Sequence, residues 1–263
     1  MMKSTLNGIE VNYRIEGPEA APVVVLSHSL ATTLEMWRPQ VAVLEPRYRV
    51  LSYDTRGHGL STVGDAAYSI ELLADDAAAL LDHLGIERCH FVGLSLGGMV
   101  GMALALRSDQ RLLSLALCDT MAQAPEGAEE AWAERVATAR ADGMAALVEA
   151  TMGRWFTAPY LERHSAELES VRAMIGATPV EGYVGCCSAI PALDYAERLG
   201  AITLPTLIVV GADDIGTPVA CSEDMQRRIP GARLEVLASA AHLSNLEQPE
   251  AFNRVLTGFL DAL

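Results

Sequence analysis

Residues 91–100 have the sequence FVGLSLGGMV, in which Ser95 stands at the centre of a Gly-x-Ser-x-Gly pattern. A β-prone run precedes the serine, and small residues compatible with a helix follow it. A serine held in a strained turn between a strand and a helix needs neighbours without a Cβ atom, because the two elements close tightly around it. The amide of Leu96, at the start of the helix, would then face a developing oxyanion. The stretch therefore predicts a nucleophile elbow built around Ser95, with a structural Gly-Ser turn as the alternative.

The segments on both sides of this stretch alternate between buried strands and amphipathic helices. Three continuous apolar runs have the pattern of strands buried on both faces: APVVVLSHS (21–29), YRVLSYD (48–54) and TLIVVGADD (206–214). Residues 69–85 carry apolar side chains at helical spacing, with Ser69 as the expected N-cap and Gly85 as the expected C-cap. Residues 6–14 alternate apolar and polar side chains, which predicts one half-exposed strand in an antiparallel hairpin. Together these segments predict an α/β fold with a mostly parallel central sheet and helices on both faces.

Residues 122–199 interrupt this alternation. The segment is rich in helical patterns, contains Trp132 and Trp155, and has no convincing buried strand. Because it is much longer than one crossover connection, we expect a helical lid over the carboxyl edge of the sheet, with ordinary crossover helices as the alternative. The predicted domains are therefore a core made of residues 1–121 and 200–263, and an inserted lid.

The composition and the charge of the chain exclude several classes of protein. Of the 263 residues, 51% are hydrophobic and 20% are charged, which predicts a large core and little disorder. The formal net charge of -15 opposes nucleic-acid binding and repels anions at long range, so an anionic substrate needs specific arginines. No apolar run approaches the roughly 18 to 20 residues that span a bilayer, and no signal peptide is visible. Five cysteines without a C-x-x-C pair suit a reducing compartment, so we expect a cytoplasmic protein without membrane partners.

The candidate base is a histidine near the end of the chain. A serine hydroxyl needs a base and an orienting acid before it can attack a carbonyl group. His242 directly follows the last predicted strand, at the same carboxyl edge of the sheet as Ser95. His58, in the DTRGHG segment, is the main alternative among the six histidines. His28 lies in the loop after the first buried strand, where we expect it to make structural hydrogen bonds.

The candidate acids also follow predicted strands. Asp213 and Asp214 end the penultimate strand, and Asp119 ends an earlier one. An acid between the serine and His242 in the sequence gives the order serine, acid, histidine, which supports the elbow independently. The second oxyanion donor should come from the loop after VVVLSHS, where the amide of Leu30 is the candidate.

These features together resemble the α/β-hydrolase fold, and the likeness covers the whole chain. Six segments are similar to those of the 3-oxoadipate enol-lactonases: LSHSLATTLEMW (26–37), YRVLSYDTRGHGLS (48–61), GLSLGG (93–98), RWFT (154–157), EGYVGCCSAI (181–190) and AAHLSN (240–245). Two of them, RWFT and EGYVGCCSAI, lie in the expected lid, where hydrolase families differ most. This chain has His28 and Ala31 where that family more often has asparagine and glycine.

The resemblance implies an activity and a catalytic triad. The implied reaction is hydrolysis of an unsaturated lactone that carries a carboxylate, giving 3-oxoadipate in bacterial aromatic catabolism. The family's triad maps onto Ser95, Asp214 and His242, and Asp214 rather than Asp213 matches the pattern G-x-x-D-x-x-T-P, here residues 211–218. The reaction passes through an acyl-enzyme and requires neither a metal ion nor an organic cofactor.

The expected partner is a small anionic lactone or ester. Arg154 is the candidate ligand of its carboxylate, because a guanidinium group binds a carboxylate through two hydrogen bonds. The alternative is a surface arginine that caps a lid helix. Trp155 and Trp132 are expected to line the apolar wall of the site, or else to form a small core within the lid. A general carboxylesterase, a cofactor-free perhydrolase and a ligand-binding relative without turnover remain alternative functions.

Overall fold

The central sheet has the predicted α/β character. The computed structural model describes residues 1–65, 67–107 and 110–263. Within them, eight strands form one sheet: β1 Met2–Leu6, β2 Ile9–Glu16, β3 Val23–Ser27, β4 Arg49–Tyr53, β5 Cys89–Leu94, β6 Leu112–Cys118, β7 Thr206–Gly211 and β8 Arg233–Leu237. Their order is β1-β2-β4-β3-β5-β6-β7-β8, and all pairs from β4 to β8 are parallel. The loops that follow these six strands therefore meet at one edge.

Helices cover this sheet and build the segment above it. The described residues contain eleven α-helices: α1 Arg38–Leu44, α2 Ile70–His83, α3 Leu96–Leu106, α4 Ala128–Asp142, α5 Val148–Trp155, α6 Ala158–Leu161, α7 Ala166–Ala177, α8 Val180–Ala189, α9 Val219–Arg228, α10 Ser244–Glu247 and α11 Pro249–Leu260. The predicted N-cap of α2 is confirmed, since the Ser69 side chain accepts a hydrogen bond from the amide of Leu72. Strands β5 and β7 are buried along their whole lengths, which requires cover on both faces. None of the helices in the described part of the chain combines the length and the apolar character needed to span a bilayer.

The N-terminal strand differs from the prediction. Residues 6–14 do not form one strand, because the chain reverses at Asn7 and Gly8, whose φ angles are 48° and 78°. An Asn-Gly pair favours such a two-residue hairpin turn, and Leu6 pairs with Ile9 across it. The antiparallel hairpin is present, but its turn lies inside the segment that was expected to be continuous.

The segment 122–199 contains five helices, α4 to α8, and none of the eight strands of the sheet. An isolated antiparallel bridge between Gln123 and Asp194 joins its two ends. Helix α4 is its longest element, and Ala139 is the only fully buried residue of that helix. These features agree with an insertion, and its division from the core at residues 122 and 199 stays a prediction.

Helix α8 approaches the loop after β4 very closely. A Cβ atom at Gly182 would lie 2.0 Å from the carbonyl oxygen of Gly57, and one at Gly185 would lie 2.5 Å from the ring of Tyr68. No larger residue fits at either position without moving the helix. The glycines of EGYVGCCSAI therefore allow the lid segment to rest directly on the core.

Candidate active site

Ser95 occupies a strained turn between β5 and α3. Its φ and ψ angles are 54° and -113°, a region that residues with a side chain rarely adopt. The turn is held on both sides of the serine. The Ser95 amide donates to the carbonyl oxygen of Cys118 at 2.8 Å, and its carbonyl oxygen accepts from the Thr120 hydroxyl at 2.8 Å. The side chain is partly exposed to the cavity above the sheet.

The glycines around Ser95 allow the two elements to close. A Cβ atom at Gly97 would lie 2.1 Å from the carbonyl oxygen of Ser27 in β3. A Cβ atom at Gly93 would lie 2.1 Å from the carbonyl oxygen of Gly97. Both distances are far below van der Waals contact, so only glycine fits at these two positions. This is the close packing that the Gly-x-Ser-x-Gly pattern predicts.

The structure brings the serine, the histidine and one aspartate into a single hydrogen-bonded chain. Nδ1 of His242 lies 2.8 Å from Oδ2 of Asp214, and Nε2 lies 2.9 Å from Oγ of Ser95. Because an ionised carboxylate only accepts, Nδ1 carries the proton and Nε2 accepts from the Ser95 hydroxyl. In this tautomer the imidazole can take up the serine proton.

Asp214 is fixed by a dense set of donors. Its Oδ1 accepts from the amides of Gly216 at 2.7 Å and Thr217 at 3.0 Å, and its Oδ2 accepts from the Thr217 hydroxyl at 2.6 Å. Burial would raise the pKa of this carboxyl, but the charge and the hydrogen bond of His242, with the Thr217 donors, lower it overall. Asp214 is therefore ionised at neutral pH. The neighbouring Asp213 is exposed and does not take part.

Asp119, the other candidate acid, is completely buried and has a different set of partners. Its Oδ1 accepts from the amide of Gly211 at 2.8 Å, and its Oδ2 accepts from the Ser244 hydroxyl at 2.5 Å. Burial, and then the nearby charge of Asp214, raise its pKa well above the usual range. Asp119 thus links the loop after β7 to the segment after His242. The sequence placed it at the correct edge of the sheet but gave no signal for this bridging role.

The environment of His242 favours its charged form. Burial opposes protonation, but the charge and the hydrogen bond of Asp214 raise the pKa of His242 overall. The ring of Trp155 lies on one side of the imidazole, with the ring centroids 6.4 Å apart. The site would therefore stabilise an imidazolium formed by transfer of the Ser95 proton.

The amides of Leu30 and Leu96, the two candidate oxyanion donors, have no acceptor among the described residues. The competing histidines have other partners: His58 and His28 are completely buried and bind backbone groups rather than Ser95. Burial lowers their pKa values, to about 3 for His58 and about 4 for His28, so both are neutral.

A cavity of about 190 Å³ lies between Ser95, His242 and the lid helices. Trp132 of α4 and Trp155 of α5 both line it, as does Leu30 on the opposite side. Its wall is mainly apolar, which suits a small organic substrate. Nowhere in the described ranges do three or more histidine, cysteine, aspartate or glutamate side chains form a cluster that could hold a metal ion.

Two arginines of the lid line the same cavity. Arg154 donates to the Thr151 hydroxyl at 3.0 Å, and Arg135 lies over the ring of Trp132 at 4.4 Å. Neither forms an ion pair with a carboxylate of the described residues. Burial, and then the charge of Arg135, lower the pKa of Arg154. The sequence singled out Arg154 but missed Arg135, although Ala128, Trp132 and Arg135 share one helical face.

Comparisons with known proteins agree with this geometry. A family model described as "alpha/beta hydrolase fold" matches residues 22–249. The 3-oxoadipate enol-lactonase 1 of Acinetobacter baylyi is 36% identical over all of this chain and 97% of its own length. A relative in Variovorax paradoxus, provisionally named a carbamate hydrolase, is 34% identical over 95% of this chain and 96% of its own.

A solved structure of an enol-lactonase is also similar to this chain. The crystal structure of the enol-lactonase from Burkholderia xenovorans LB400 superposes with a TM-score of 0.95 at 42% identity, covering 99% of this chain and 100% of that one. The likeness therefore extends through the lid segment as well as the sheet. The chain belongs to the α/β-hydrolase family and, within it, to the group of hydrolases that includes the 3-oxoadipate enol-lactonases.

Proposed function

We propose that this chain hydrolyses 3-oxoadipate enol-lactone to 3-oxoadipate in bacterial aromatic catabolism. The observation that carries the proposal is that Arg135 and Arg154, on the lid side of an apolar cavity lined by Ser95, form no ion pair with a carboxylate of the described residues. An apolar cavity with two cations suits a small anion with a hydrophobic body. The enol-lactonases named among the relatives support a lactone as the reacting group.

In the proposed acylation step, Oγ of Ser95 attacks the lactone carbonyl carbon while Nε2 of His242 takes up its proton. Asp214 stabilises the imidazolium through the hydrogen bond to Nδ1. The amides of Leu30 and Leu96 donate to the oxyanion of the tetrahedral intermediate. Loss of one such donor typically costs about 3 to 4 kcal/mol of transition-state stabilisation.

Collapse of the intermediate breaks the bond between the carbonyl carbon and the ring oxygen. The leaving group is an enolate, whose oxygen takes the proton from Nε2 of His242. The resulting enol tautomerises to the ketone, while the acyl chain stays on Ser95 and His242 is neutral again. A water molecule then attacks the acyl-enzyme, with His242 as the base, and releases the second carboxylate. Nε2 of His242 serves the transfers of a proton from Ser95, to the leaving oxygen, from water and back to Ser95, and the proposal includes no metal ion or organic cofactor.

The substrate carboxylate is assigned to the lid side of the cavity. Arg154 has a guanidinium group with unused donors, and Arg135 adds a second positive charge in the same wall. Trp132 and Trp155 would contact the apolar part of the substrate. The negative net charge of the chain makes such local cations necessary for binding an anion.

The proposal is tested by following the disappearance of the enol-lactone with the wild type and with Ser95→Ala. We expect turnover by the wild type and none above background with the variant. Neutral p-nitrophenyl esters and a simple carbamate are assayed in parallel. Faster turnover of the neutral ester would favour a general esterase, and turnover of the carbamate alone would contradict a lactonase. Failure of a fluorophosphonate to label Ser95 would indicate a binding protein without turnover.

A further inference from the structure

Two buried histidines have no part in the proposed mechanism. His28 belongs to residues 28–33, here called the oxyanion loop, which follows β3 and contains the candidate donor Leu30. His58 belongs to residues 54–62, here called the β4 loop. Both side chains are completely inaccessible to solvent, and their ring centroids are 5.4 Å apart.

The partners of His58 fix its protonation state. Its Nδ1 lies 3.1 Å from the carbonyl oxygen of Arg56, and its Nε2 lies 3.0 Å from the amide nitrogen of Ala31. A carbonyl oxygen only accepts, so Nδ1 carries the proton. Nε2 is therefore the acceptor of the Ala31 amide, which belongs to the oxyanion loop.

His28 makes the equivalent two hydrogen bonds, with the roles of the two loops exchanged. Its Nδ1 donates to the carbonyl oxygen of Ser29 at 2.7 Å, and its Nε2 accepts from the amide of Thr55 at 2.8 Å. Each loop thus supplies a histidine that accepts a backbone amide of the other loop. Asp54 of the β4 loop also accepts, through Oδ1, from the amide of Leu34, the residue directly after the oxyanion loop, at 2.9 Å.

The backbone held by His58 is strained and lies next to the oxyanion donor. Ala31 has a φ angle of 57°, in the left-handed region that disfavours alanine. Its amide belongs to the peptide unit that joins it to Leu30, and the Leu30 amide has no acceptor among the described residues. The hydrogen bond to His58 therefore fixes the peptide unit directly after the candidate donor.

We propose that His58, paired with His28, is a positioning residue that holds the Leu30 amide in place for the oxyanion. The inference rests on the proposed acyl-enzyme reaction, in which Leu30 donates to the tetrahedral intermediate. His58 does not touch the substrate and acts through Ala31. Its contribution is made in the transition state, where the oxyanion is present, rather than in the binding of the substrate.

Two substitutions separate the bonds of His58. His58→Asn keeps a donor at the position of Nδ1 and removes the acceptor of the Ala31 amide. His58→Gln keeps an acceptor near the position of Nε2 and removes the donor to Arg56. His90→Asn is the matched control, because His90 is also a buried histidine, bonded through Nδ1 to the Ser114 hydroxyl away from the cavity.

The variants are assayed with a neutral p-nitrophenyl ester, and active sites are counted with a fluorophosphonate. We expect His58→Asn to lower kcat per active site by about 10- to 100-fold with little change in KM, since displacing one oxyanion donor has effects of this order. His58→Gln should recover most of this loss, and His90→Asn should match the wild type. The affinity for a trifluoromethyl ketone, which forms an oxyanion on Ser95, should fall in parallel with kcat. The affinity for the corresponding secondary alcohol should not change.

Two outcomes would overturn the inference. One is an unchanged kcat per active site in His58→Asn, with any loss explained by fewer folded molecules. The other is an equal loss of affinity for the ketone and the alcohol. The ester assay separates this test from the proposed substrate, because a wild type that hydrolyses the ester but not the enol-lactone contradicts the lactonase proposal alone. A wild type inert toward both ester and fluorophosphonate would contradict both.

Discussion

On the sheet side of the cavity the carboxylate of Asp214 accepts hydrogen bonds from several donors. On the lid side the guanidinium groups of Arg154 and Arg135 have few partners. Asp214 accepts from His242, from two backbone amides and from a hydroxyl. Within the described residues, Arg154 donates only to Thr151, and Arg135 has the ring of Trp132 as its neighbour. From this difference we expect the sheet side, here called the catalytic wall, to carry the chemistry, and the lid side, here called the recognition wall, to bind the anion.

The lid itself also has two differently held parts. The segment after α5 is joined through Glu247 to residues 238–243, the loop after β8 that contains His242. This buried carboxylate accepts from the Thr157 amide and hydroxyl and from the amide of Ala241 at 2.9 Å. Helix α4 is instead bounded by Gly127 and Gly143, whose φ angles are 77° and 76°. Trp155 thus lies next to the part of the lid that Glu247 joins to the core, whereas α4 begins and ends at glycines.

The largest expected effect is that of Asp214→Asn. The amide can donate to Nδ1 of His242, which moves the imidazole proton to Nε2 and removes the acceptor of the Ser95 proton. We expect kcat to fall by about 10⁴-fold for the anionic lactone and for a neutral ester alike. A loss confined to the lactone would contradict the division between the two walls.

Next in size is the loss of stability in Gly97→Ala. Its Cβ atom would lie 2.1 Å from the carbonyl oxygen of Ser27, so β3 and α3 would have to separate. We expect the free energy of unfolding in urea to fall by about 3 kcal/mol or more. Gly127→Ala is the comparison on the lid side, and equal losses in the two variants would show that close packing at the elbow is unimportant.

Arg154→Met should have an intermediate effect. The substitution keeps the length of the side chain and removes the charge, so kcat/KM for the anionic lactone should fall by about 10- to 100-fold. Turnover of a neutral ester should be unchanged. Arg163→Met is the control, because Arg163 is an exposed lid arginine that lies over the Tyr160 ring, 4.8 Å from its centroid. Equal losses for the two substrates would contradict a carboxylate ligand at this position.

The pH profile of the activity tests how the charge of Asp214 affects the pKa of His242. His242 must be neutral to accept the serine proton, and its environment raises its pKa. Activity should therefore increase with pH, with the midpoint of kcat/KM above the ordinary imidazole value of about 6.5. In Asp214→Asn the negative charge is lost, so the midpoint of the residual activity should move to lower pH. A midpoint that does not respond to this substitution would assign the titration to another group.

The smallest expected effect is that of Gly127→Ala, at the start of α4. No atom lies within 4 Å of the added Cβ, so the cost is that of a left-handed alanine, with φ 77° and ψ 4°. We expect a loss of about 1 kcal/mol in the free energy of unfolding. Gly153→Ala, in open space within α5 and without a positive φ angle, should be neutral or slightly stabilising. A larger loss in Gly127→Ala would indicate that the start of α4 is held by packing.

Local patterns were sufficient for the parts of the molecule that are built from regular elements. The apolar runs predicted the parallel strands, and the strand order along the chain predicted that Ser95, Asp214 and His242 lie at one edge of the sheet. The hairpin turn at Asn7 was missed because the alternation of residues 6–14 continues through it. In that case turn chemistry outweighed periodicity.

Contacts between distant segments were not predictable in the same way. Arg135 lies on a helix with one fully buried residue, so its sequence has no apolar stripe to indicate which face meets the cavity. His28 and its partner Thr55 are 27 residues apart along the chain, and so are His58 and its partner Ala31. Each pair meets only because β3 and β4 are neighbours in the sheet. Such cross-links follow from the assembled fold rather than from any local pattern.

The division between the two walls is tested most directly with a matched pair of substrates, the enol-lactone and its neutral methyl ester. The wild type and the double variant Arg135→Met/Arg154→Met are compared by the ratio of kcat/KM for the two compounds. We predict that the wild type prefers the carboxylate and that the double variant loses this preference while its turnover of the methyl ester stays the same. A double variant that keeps the preference, or that loses both activities together, would contradict the account.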